Sequence, residues 1–546
     1  MFLTPIPLFL FSLLAASIAT HSSPQSYAPR AATESGALEG SPVGSSLNAA
    51  VFLGIPFAAP PTGDRRWRPP QPAQHWSGIR PAKQFAPSCP QLPSTWWPEM
   101  AGRDRLETSE DCLYLNVWTP NLSRAGKIPV MVWIHGGGNV EGSSQIPPLA
   151  PALARKGVVV VSAEYRLGVL GFLAHPALSA ESPRHTSGNY GLLDQIAALD
   201  WIRRNIAAFG GDPDQVTIFG ESSGAEGVCH LLASPLAKGL FQRAILESGV
   251  CMDSLYSDFR REQNYHRNHG PGERLGSRMA AAAGITETPN ALTSLRALPV
   301  ERLLQWAHEA DGADFSVVVD GWSVPLQPVL TFARGKQAHV PVLVGSNAQE
   351  TTVFGKASPL ATQDSRPKTM AQYRSWLKNE FRELAGEVEQ VYPAQTDAEV
   401  PHIFIRMQTD YDFGFGAHRL AQATAAQSQP AYLYYFTYTG RGPFAALGAF
   451  HSEELMFLGN TYWKSWTSNA ADNDLAEIIS DYWTQFAKTG NPNQANHPHW
   501  PAYAAENDRC LDLGQQVKAR ATPNRQGYSV FERILQARLA EIAPPQ

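Results

Sequence analysis

The segment from 216 to 224 constrains the fold of this 546-residue chain more than any other. An apolar run, Val216 to Phe219, leads directly into the motif GESSG at 220–224, and small residues typical of a closely packed helix follow. A chain that passes from strand to helix within five residues has little space two positions before and after the central serine. We therefore predict that Ser222 lies on a strained turn whose flanking positions must be glycine.

Short apolar runs alternate with helical patterns through the middle of the chain, which predicts a largely parallel sheet covered by helices. Val158 to Val161 is β-branched throughout and indicates a central strand buried on both faces. Apolar residues at helical spacing predict a helix after Tyr190, which the sequence GGDP at 210–213 ends. The other predicted elements are strands at 130–134, 216–219, 244–246, 340–344 and 432–436 and a helix at 529–542.

The domain organisation is interpreted as a single large unit. Length alone would suggest three or four domains, but no internal repeat or long low-complexity block divides the chain. Residues 36–546 are therefore predicted to form one domain. Mixed helical patterns at 255–335 and 360–425 are interpreted as insertions that build the walls of a substrate cleft.

The N-terminal residues predict export. Residues 1–19 have an apolar centre followed by Ser17 and Ala19 at the spacing of a cleavage site, so a signal peptide is predicted. A retained anchor is the alternative, which Pro5 and Pro7 disfavour. Residues 20–35 are rich in Ser, Pro and Ala and are predicted to form a flexible leader. The mature protein is expected to be secreted or periplasmic, with no stable membrane span.

Charge and cysteine spacing exclude some classes of partner. The net charge is -5 and no long basic run is present, so nucleic acid is not expected as a partner. None of the cysteines has the spacing of a zinc site, and no metal is predicted. Export permits disulfides, which would leave one thiol over, assigned to Cys510; several buried free thiols are the alternative.

A second glycine motif, HGGG at 135–138, follows the predicted strand 130–134. Backbone N–H groups can approach a developing oxyanion only where no side chain intervenes, and successive glycines permit that approach. HGGG is a known oxyanion-loop pattern, so the donors are assigned to the N–H groups of Gly137, Gly138 and Ser223. A plain glycine turn is the alternative, which the position of the motif before GESSG disfavours.

These motifs together resemble the type-B carboxylesterases, the family that includes cholinesterases and mammalian carboxylesterases. Further matching segments are GIPFA at 54–58, RWRPP at 66–70, EDCLYLNV at 110–117 and FGG at 209–211. The resemblance implies an α/β-hydrolase fold, with a large, mostly parallel central sheet, helices on both faces and helical insertions forming the cleft. It also implies ester hydrolysis without a metal or organic cofactor.

The resemblance also implies the remaining catalytic residues. GSNAQE at 345–350 resembles the family segment that ends in the catalytic acid, and GAFHSEE at 448–454 resembles the catalytic-histidine segment. The implied triad is Ser222, Glu350 and His451, in the chain order of α/β-hydrolases. Glu221, beside the nucleophile, either tunes the local field or is structural.

Two departures from the family pattern leave the substrate preference open. Asn139 stands where relatives usually carry an aromatic residue, which predicts a more polar cleft wall. After the triad acid, relatives often carry a glycine that is preceded by Asp. In this chain the sequence QET at 349–351 replaces that pattern.

By resemblance, Cys89 and Cys112 close a surface loop at the cleft mouth. Cys229 and Cys251 bracket a predicted helix and the following strand, and both a second disulfide and unpaired thiols stay open for them. The aromatic residues of that loop either contact the substrate or cap the core. The resemblance further implies an ion pair between Arg66 and Glu110. Other residues noted here are Trp96, Trp97 and Met100 in the loop, and Asn121, whose glycosylation sequon has meaning only in a eukaryotic host.

The predicted function is hydrolysis of small-molecule carboxylic esters by a serine enzyme through an acyl-enzyme intermediate. A lipase acting on long-chain or sterol esters uses the same triad and remains an alternative, as does an amidase or a toxin- or drug-hydrolysing esterase. A non-catalytic binding protein of the same fold is disfavoured because all the catalytic residues are present. The sequence leaves the natural ester and the oligomeric state open.

Overall fold

The computed structural model describes Met1 and residues 28–44, 48–93, 106–122, 127–145, 149–253, 255–256, 272–285, 290–309, 315–354, 366–440, 442–462, 466 and 468–542. Its strands are β1 Arg30–Thr33, β2 Gly36–Glu39, β3 Ser41–Pro42, β4 Ala50–Pro56, β5 Ile79–Pro81, β6 Tyr114–Thr119, β7 Ile128–Ile134, β8 Val159–Ala163, β9 Gly211–Glu221, β10 Arg243–Glu247, β11 Val342–Asn347, β12 Ala431–Phe436, β13 Arg509–Leu513 and β14 Lys518–Ala521.

The helices surround these strands. They are α1 Leu149–Arg155, α2 Gly168–Phe172, α3 Pro176–Glu181, α4 Tyr190–Asn205, α5 Ser223–Ala233, α6 Gly272–Ala282, α7 Ala291–Arg296, α8 Val300–Glu309, α9 Pro328–Ala333, α10 Met370–Phe381, α11 Ala385–Val391, α12 Val400–Thr409, α13 Phe415–Ala426, α14 Glu453–Leu458, α15 Ala470–Thr489 and α16 Arg525–Ile542. Among the described residues, no helix combines the length and apolar character needed to cross a bilayer.

An eleven-stranded sheet forms the centre, in the order β14-β13-β12-β11-β10-β9-β7-β8-β6-β4-β3. The strands from β8 through β7, β9, β10, β11 and β12 to β13 pair in parallel, whereas β3, β4, β6 and β14 pair antiparallel at the two edges. A smaller three-stranded sheet joins β1, β2 and β5. The predicted α/β-hydrolase arrangement of a large, mostly parallel sheet is therefore confirmed.

Helices cover the sheet on both faces, and β7 shows why. Successive side chains of a strand point to opposite faces, so Met131 and Trp133 join one buried cluster with residues of α1, α14 and α15. Val132 and Ile134 join the other cluster, with residues of α4 and α5. A strand with apolar residues at every position can be stable only when both of its faces are buried.

The predicted elements correspond to observed ones with small shifts at their ends. The helix predicted after Tyr190 is α4, which ends at Asn205 and passes through a 3₁₀ turn, Ile206–Phe209. Gly210 follows at φ 83°, a left-handed conformation that glycine adopts without steric penalty, and β9 begins at the next residue. The C-terminal helix begins at 525, four residues earlier than predicted.

Two boundary predictions are corrected. The flexible leader was predicted to reach residue 35, but Arg30–Thr33 forms β1, whose backbone pairs antiparallel with β2 and whose Ala31 is buried. The insertion predicted at 360–425 is partly wrong, because α13 packs against β11 and β12 and thus covers the sheet. The predicted signal peptide, residues 1–19, lies outside the described residues apart from Met1.

Two disulfides are present, Cys89–Cys112 and Cys229–Cys251, and Cys510 is a buried thiol. The first closes a loop of 23 residues. A disulfide restricts the unfolded chain, so Cys89→Ser with Cys112→Ser is expected to lower the free energy of unfolding by about 2–4 kcal/mol. Urea denaturation of oxidised wild type and the double variant measures this difference. Equal midpoints and slopes would contradict the expectation.

Candidate active site

Ser222 occupies a strained turn between β9 and α5. Its backbone has φ 57° and ψ -130°, a region that non-glycine residues rarely adopt. A Cβ on Gly224 would lie 2.2 Å from the carbonyl oxygen of Ile134, and one on Gly220 would lie 2.6 Å from the backbone of Gly224. The sequence-based expectation that both positions require glycine therefore agrees with the local geometry.

The candidate residues gather at the carboxyl ends of neighbouring parallel strands. Ser222 follows β9, Glu350 follows β11, and His451 comes after β12. In open α/β sheets the crevice beyond these strand ends is the usual place for a ligand site. Residues separated by more than two hundred positions in the sequence are thus brought to one edge of the sheet.

His451 and Glu350 form a short, buried hydrogen bond. The Nδ1 of His451 lies 2.6 Å from Oε2 of Glu350, and the two residues are 6% and 0% exposed. The other oxygen of Glu350, Oε1, accepts the backbone N–H of Asn347 at 2.7 Å. Because a carboxylate can only accept, Nδ1 carries a hydrogen and Nε2 is the nitrogen that faces the rest of the site.

Glu221 contacts that second nitrogen. Its Oε1 lies 3.2 Å from Nε2 of His451 and also accepts a hydrogen bond from Oγ of Ser452 at 2.5 Å. A hydrogen bond between Ser222 and His451 is not among those of the described residues. Hydrogen bonds of catalytic sites are often long or poorly aligned until substrate binds, so the contact between Nε2 and Glu221 does not exclude Ser222 as a later partner of His451.

The acidic surroundings favour a charged imidazole. Burial opposes the positive charge on His451, but the carboxylates of Glu221 and Glu350 outweigh it and raise the pKa of His451 to about 9. Burial in turn raises the pKa of Glu221. The charge of His451 and the hydrogen bond from Ser452 partly offset this increase. The protonation of His451 is therefore coupled to that of Glu221.

Replacing Glu221 by glutamine is expected to shift the acid limb of the pH profile. The variant lacks one of the carboxylates that raise the pKa of His451, so the imidazole loses its proton at a lower pH. A histidine that acts as a base must be neutral, and the acid limb of kcat/KM should move down by about one pH unit. Hydrolysis rates from about pH 6 to 10.5, a range that spans the pKa of His451, measure the shift; an unchanged or upward-shifted limb would contradict this coupling.

The HGGG segment lies against the turn that carries Ser222. Gly137 has φ 112°, and a Cβ there would lie 2.2 Å from the backbone oxygen of Glu141. Asn139 donates its N–H to Oγ of Ser223 at 3.1 Å and accepts the N–H of Gly168 at 2.6 Å. No hydrogen bond of the described residues uses the N–H groups assigned as oxyanion donors, so these groups are available.

The backbone conformation at Asn139, one of the departures from the family pattern, suits asparagine. Its φ is 60°, and asparagine adopts the left-handed region more readily than other residues with a side chain. The residue is 5% exposed, so its side chain is largely withdrawn from solvent. Asparagine therefore suits the local backbone at the end of the glycine loop.

Two aromatic residues at the site were missed by the sequence analysis. The ring centroids of Phe354 and Phe413 lie 5.0 Å and 5.1 Å from that of His451. Phe413 belongs to a π-helical turn, Asp410–Gly414, between α12 and α13. No sequence pattern identifies such a turn, and the only available signal was the aromatic residue four positions after Glu350.

Other predicted features have different outcomes. Arg66 contacts both oxygens of Glu110, at 2.7 Å and 2.6 Å, as the resemblance implied. The loop residues Trp96, Trp97 and Met100 lie outside the described residues, and Asn121 follows β6. Among the described residues, no group of three His, Cys, Asp or Glu is arranged to hold a metal ion.

Comparison with known proteins assigns the family. The model described as the Carboxylesterase family matches residues 27–531. The chain belongs to the carboxylesterase family. A fumonisin B1 esterase of Sphingopyxis macrogoltabida is 38% identical to it over 505 residues, which cover 89% of this chain and 86% of the relative. Liver carboxylesterase 1 of Oryctolagus cuniculus is 34% identical over 509 residues, 86% of each chain.

Solved structures agree with this assignment. A carboxylesterase of Geobacillus stearothermophilus matches with a TM-score of 0.78 at 32% identity, covering 92% of this chain and 99% of the other. This carboxylesterase is therefore a serine hydrolase of carboxylic esters with the α/β-hydrolase fold. Its two disulfides are consistent with a location outside the cytosol.

Proposed function

We propose that Ser222, His451 and Glu350 are the catalytic triad that hydrolyses the ester. The observation that carries the proposal is the strained Ser222 at the same sheet edge as the 2.6 Å contact between His451 and Glu350. Oγ of Ser222 attacks the ester carbonyl while Nε2 of His451 takes its proton. Glu350 holds the hydrogen on Nδ1 and stabilises the imidazolium that forms.

The N–H groups of Gly137, Gly138 and Ser223 stabilise the tetrahedral oxyanion in this proposal. Ser223 is the first residue of α5, so its N–H also lies at the positive end of the helix dipole. Loss of one such donor typically costs about 2.7–4 kcal/mol of transition-state stabilisation. The proton on His451 then passes to the leaving alcohol, and water repeats the sequence to release the acid.

Glu221 is proposed to hold the imidazole between turnovers. Its contact with Nε2 keeps the ring at the site when no substrate is bound. A substrate that brings Ser222 into line would replace this contact. The role is electrostatic and positional, since Glu221 exchanges no atoms with the ester.

Covalent labelling tests the nucleophile and an ester panel tests the substrate class. A fluorophosphonate should modify the peptide that contains Ser222, as identified by mass spectrometry, and p-nitrophenyl esters from acetate to palmitate should give a rate profile. A maximum at short acyl chains supports an esterase, and a maximum at long chains with interfacial activation supports a lipase. Labelling at another serine would overturn the assignment.

The similarity to a fumonisin B1 esterase makes fumonisin B1 a reasonable member of the ester panel. Release of its acyl groups at a rate above that of simple esters would favour the toxin-hydrolysing alternative. Equal or slower hydrolysis would favour a general carboxylesterase.

Export to the periplasm or the medium is proposed from the N-terminal sequence. The support is the apolar segment before Ser17 and Ala19 together with the two disulfides. N-terminal sequencing of the exported protein is expected to begin at residue 20. Retention of residues 1–19 in a membrane fraction would support an anchor instead.

A further inference from the structure

The oxyanion loop, residues 135–139, lies beside a buried carboxyl group that the proposed mechanism does not use. Glu164 follows β8 and is 2% exposed. Its Oε1 accepts three hydrogen bonds: from Oγ of Ser143 at 2.8 Å, from the N–H of Ser144 at 2.9 Å and from Oγ of Ser144 at 2.9 Å. Oγ of Ser88 donates a longer fourth bond at 3.3 Å. One oxygen of this carboxyl is therefore firmly held.

The second oxygen faces the histidine of the HGGG motif. Oε2 of Glu164 lies 3.8 Å from Nε2 of His135, and neither atom has a hydrogen-bond partner among the described residues. On the other side of the ring, Nδ1 lies 3.0 Å from the carbonyl oxygen of Gly136. A carbonyl only accepts, so Nδ1 carries the hydrogen and the neutral ring presents a lone pair to Glu164.

The histidine ring is tightly confined. It stacks on Tyr165 with a centroid separation of 4.3 Å, and the hydroxyl of Tyr165 donates to the carbonyl oxygen of His135 at 2.8 Å. A Cβ on Gly142 would lie 2.1 Å from Nδ1. The ring is therefore confined near this orientation. An ionised Glu164 would place a lone pair of Oε2 opposite the lone pair of Nε2, and the two would repel each other in a buried space.

We propose that Glu164 is a positioning residue for the oxyanion hole. Its carboxyl group holds one proton in the gap to Nε2 of His135, and this proton fixes the tautomer whose Nδ1 donates to Gly136. This inference rests on the proposed function of the loop. The gap exceeds hydrogen-bonding distance by less than about 1 Å, so a small turn of the protonated carboxyl closes it. Gly136 directly precedes the two glycines assigned as donors. The hydrogen bond from His135 to Gly136 therefore connects this proton to the backbone of the oxyanion hole.

The pKa values of Glu164 and His135 agree with a pair in which both side chains are neutral. Burial raises the pKa of Glu164 to about 7, against the hydrogen bonds from the serines, and burial lowers the pKa of His135 to about 4. Other titratable groups nearby are Tyr165 on the ring, Glu226 close to Tyr165, Glu221 beside Gly136 and Glu141 beside Gly137. The folded protein therefore holds a proton at Glu164 up to about neutral pH and loses it above.

Two substitutions of Glu164 separate positioning from packing. Glu164→Gln keeps an acceptor for the serines and places an N–H toward His135 at every pH, whereas Glu164→Ala removes both. For Glu164→Ala we expect kcat to fall by about tenfold to a hundredfold with KM unchanged, because a displaced donor acts on the transition state. Affinity for a trifluoromethyl ketone, whose adduct places an oxyanion in the hole, should fall in parallel.

The pH dependence gives the second readout. Glu164→Gln should retain kcat at pH 6, and the ratio of its kcat to that of wild type should rise between pH 6 and 8.5, where only wild type loses the proton. Asp472→Asn is the matched control: Asp472 is also buried and accepts the N–H of Asn469 at 2.9 Å at the start of α15. That control should lower the melting temperature without a change in the kcat ratio across pH.

Several results would overturn the inference. A constant ratio of kcat for Glu164→Gln and wild type from pH 6 to 8.5 would exclude the shared proton, even if Glu164→Ala fails to fold. A higher KM with unchanged kcat in Glu164→Ala would exclude a role at the oxyanion hole. Phosphonate labelling of Ser222 in wild type is measured separately, so a failure of the proposed catalytic function is distinguishable from a failure of this inference.

Discussion

Replacing Ser222 by alanine is expected to lower kcat for ester hydrolysis by about a millionfold, the loss typical of removing a triad nucleophile. The variant keeps the imidazole and the backbone donors but has no atom that can form the acyl-enzyme. Residual hydrolysis would come only from the oxyanion hole and from substrate binding, on the order of 10³–10⁴ over water. Stopped-flow and long-incubation assays with a p-nitrophenyl ester together cover this range.

Ser480→Ala is a matched control for the nucleophile substitution. Ser480 is also buried, and its Oγ donates to the carbonyl oxygen of Ala476 within α15. This variant is expected to keep wild-type kcat, since it alters no group at the sheet edge that carries Ser222. Survival of activity in Ser222→Ala, with Ser480→Ala equally active, would place the nucleophile elsewhere.

The central fold was predictable because its information is local. A run such as Val158 to Val161 must be buried on both faces, and the observed strand β8 at Val159–Ala163 is buried throughout and lies inside the sheet, between β7 and β6. The tight turn at GESSG was likewise predictable from local sterics, because Gly224 lies too close to Ile134 to bear a side chain. Periodicity and local sterics are sufficient for such elements.

The proposed catalytic partners of Ser222 were not predictable from local patterns. Glu350 and His451 are separated by 101 positions, and only the family resemblance selected His451 among 15 histidines. The contact of His451 with Glu221 depends on the packing of β9 against distant segments. The residues were therefore predictable by resemblance, but the contact between Nε2 of His451 and Glu221 was not.

Buried polar groups in loops were the least predictable. Glu164 follows a strand whose pattern is apolar, and nothing in that pattern indicates that its carboxyl accepts bonds from Ser143 and Ser144. Phe413 lies in a π-helical turn that was interpreted only as part of an insertion. The roles of such groups depend on tertiary contacts, and the periodicity of the sequence does not predict those contacts.

Replacing Glu350 by glutamine is expected to lower kcat by about 10⁴-fold, the effect known for the amide substitution of a triad acid. The backbone N–H of Asn347 donates to Oε1, so the amide oxygen of glutamine should take that position. Its NH₂ group would then face Nδ1 of His451 and force that nitrogen to accept. The hydrogen of the imidazole moves to Nε2, which can no longer take the proton of Ser222.

Glu350→Asp is the informative comparison because it keeps the charge and shortens the side chain. It should lose less activity than Glu350→Gln, since a carboxylate still accepts from Nδ1 when the ring adjusts. Both variants should keep a KM close to that of wild type, because the triad acid acts on the transition state. If Glu350→Gln retained activity within about tenfold of wild type, the tautomer argument would fail, and the short contact with His451 would be a structural bond in this carboxylesterase.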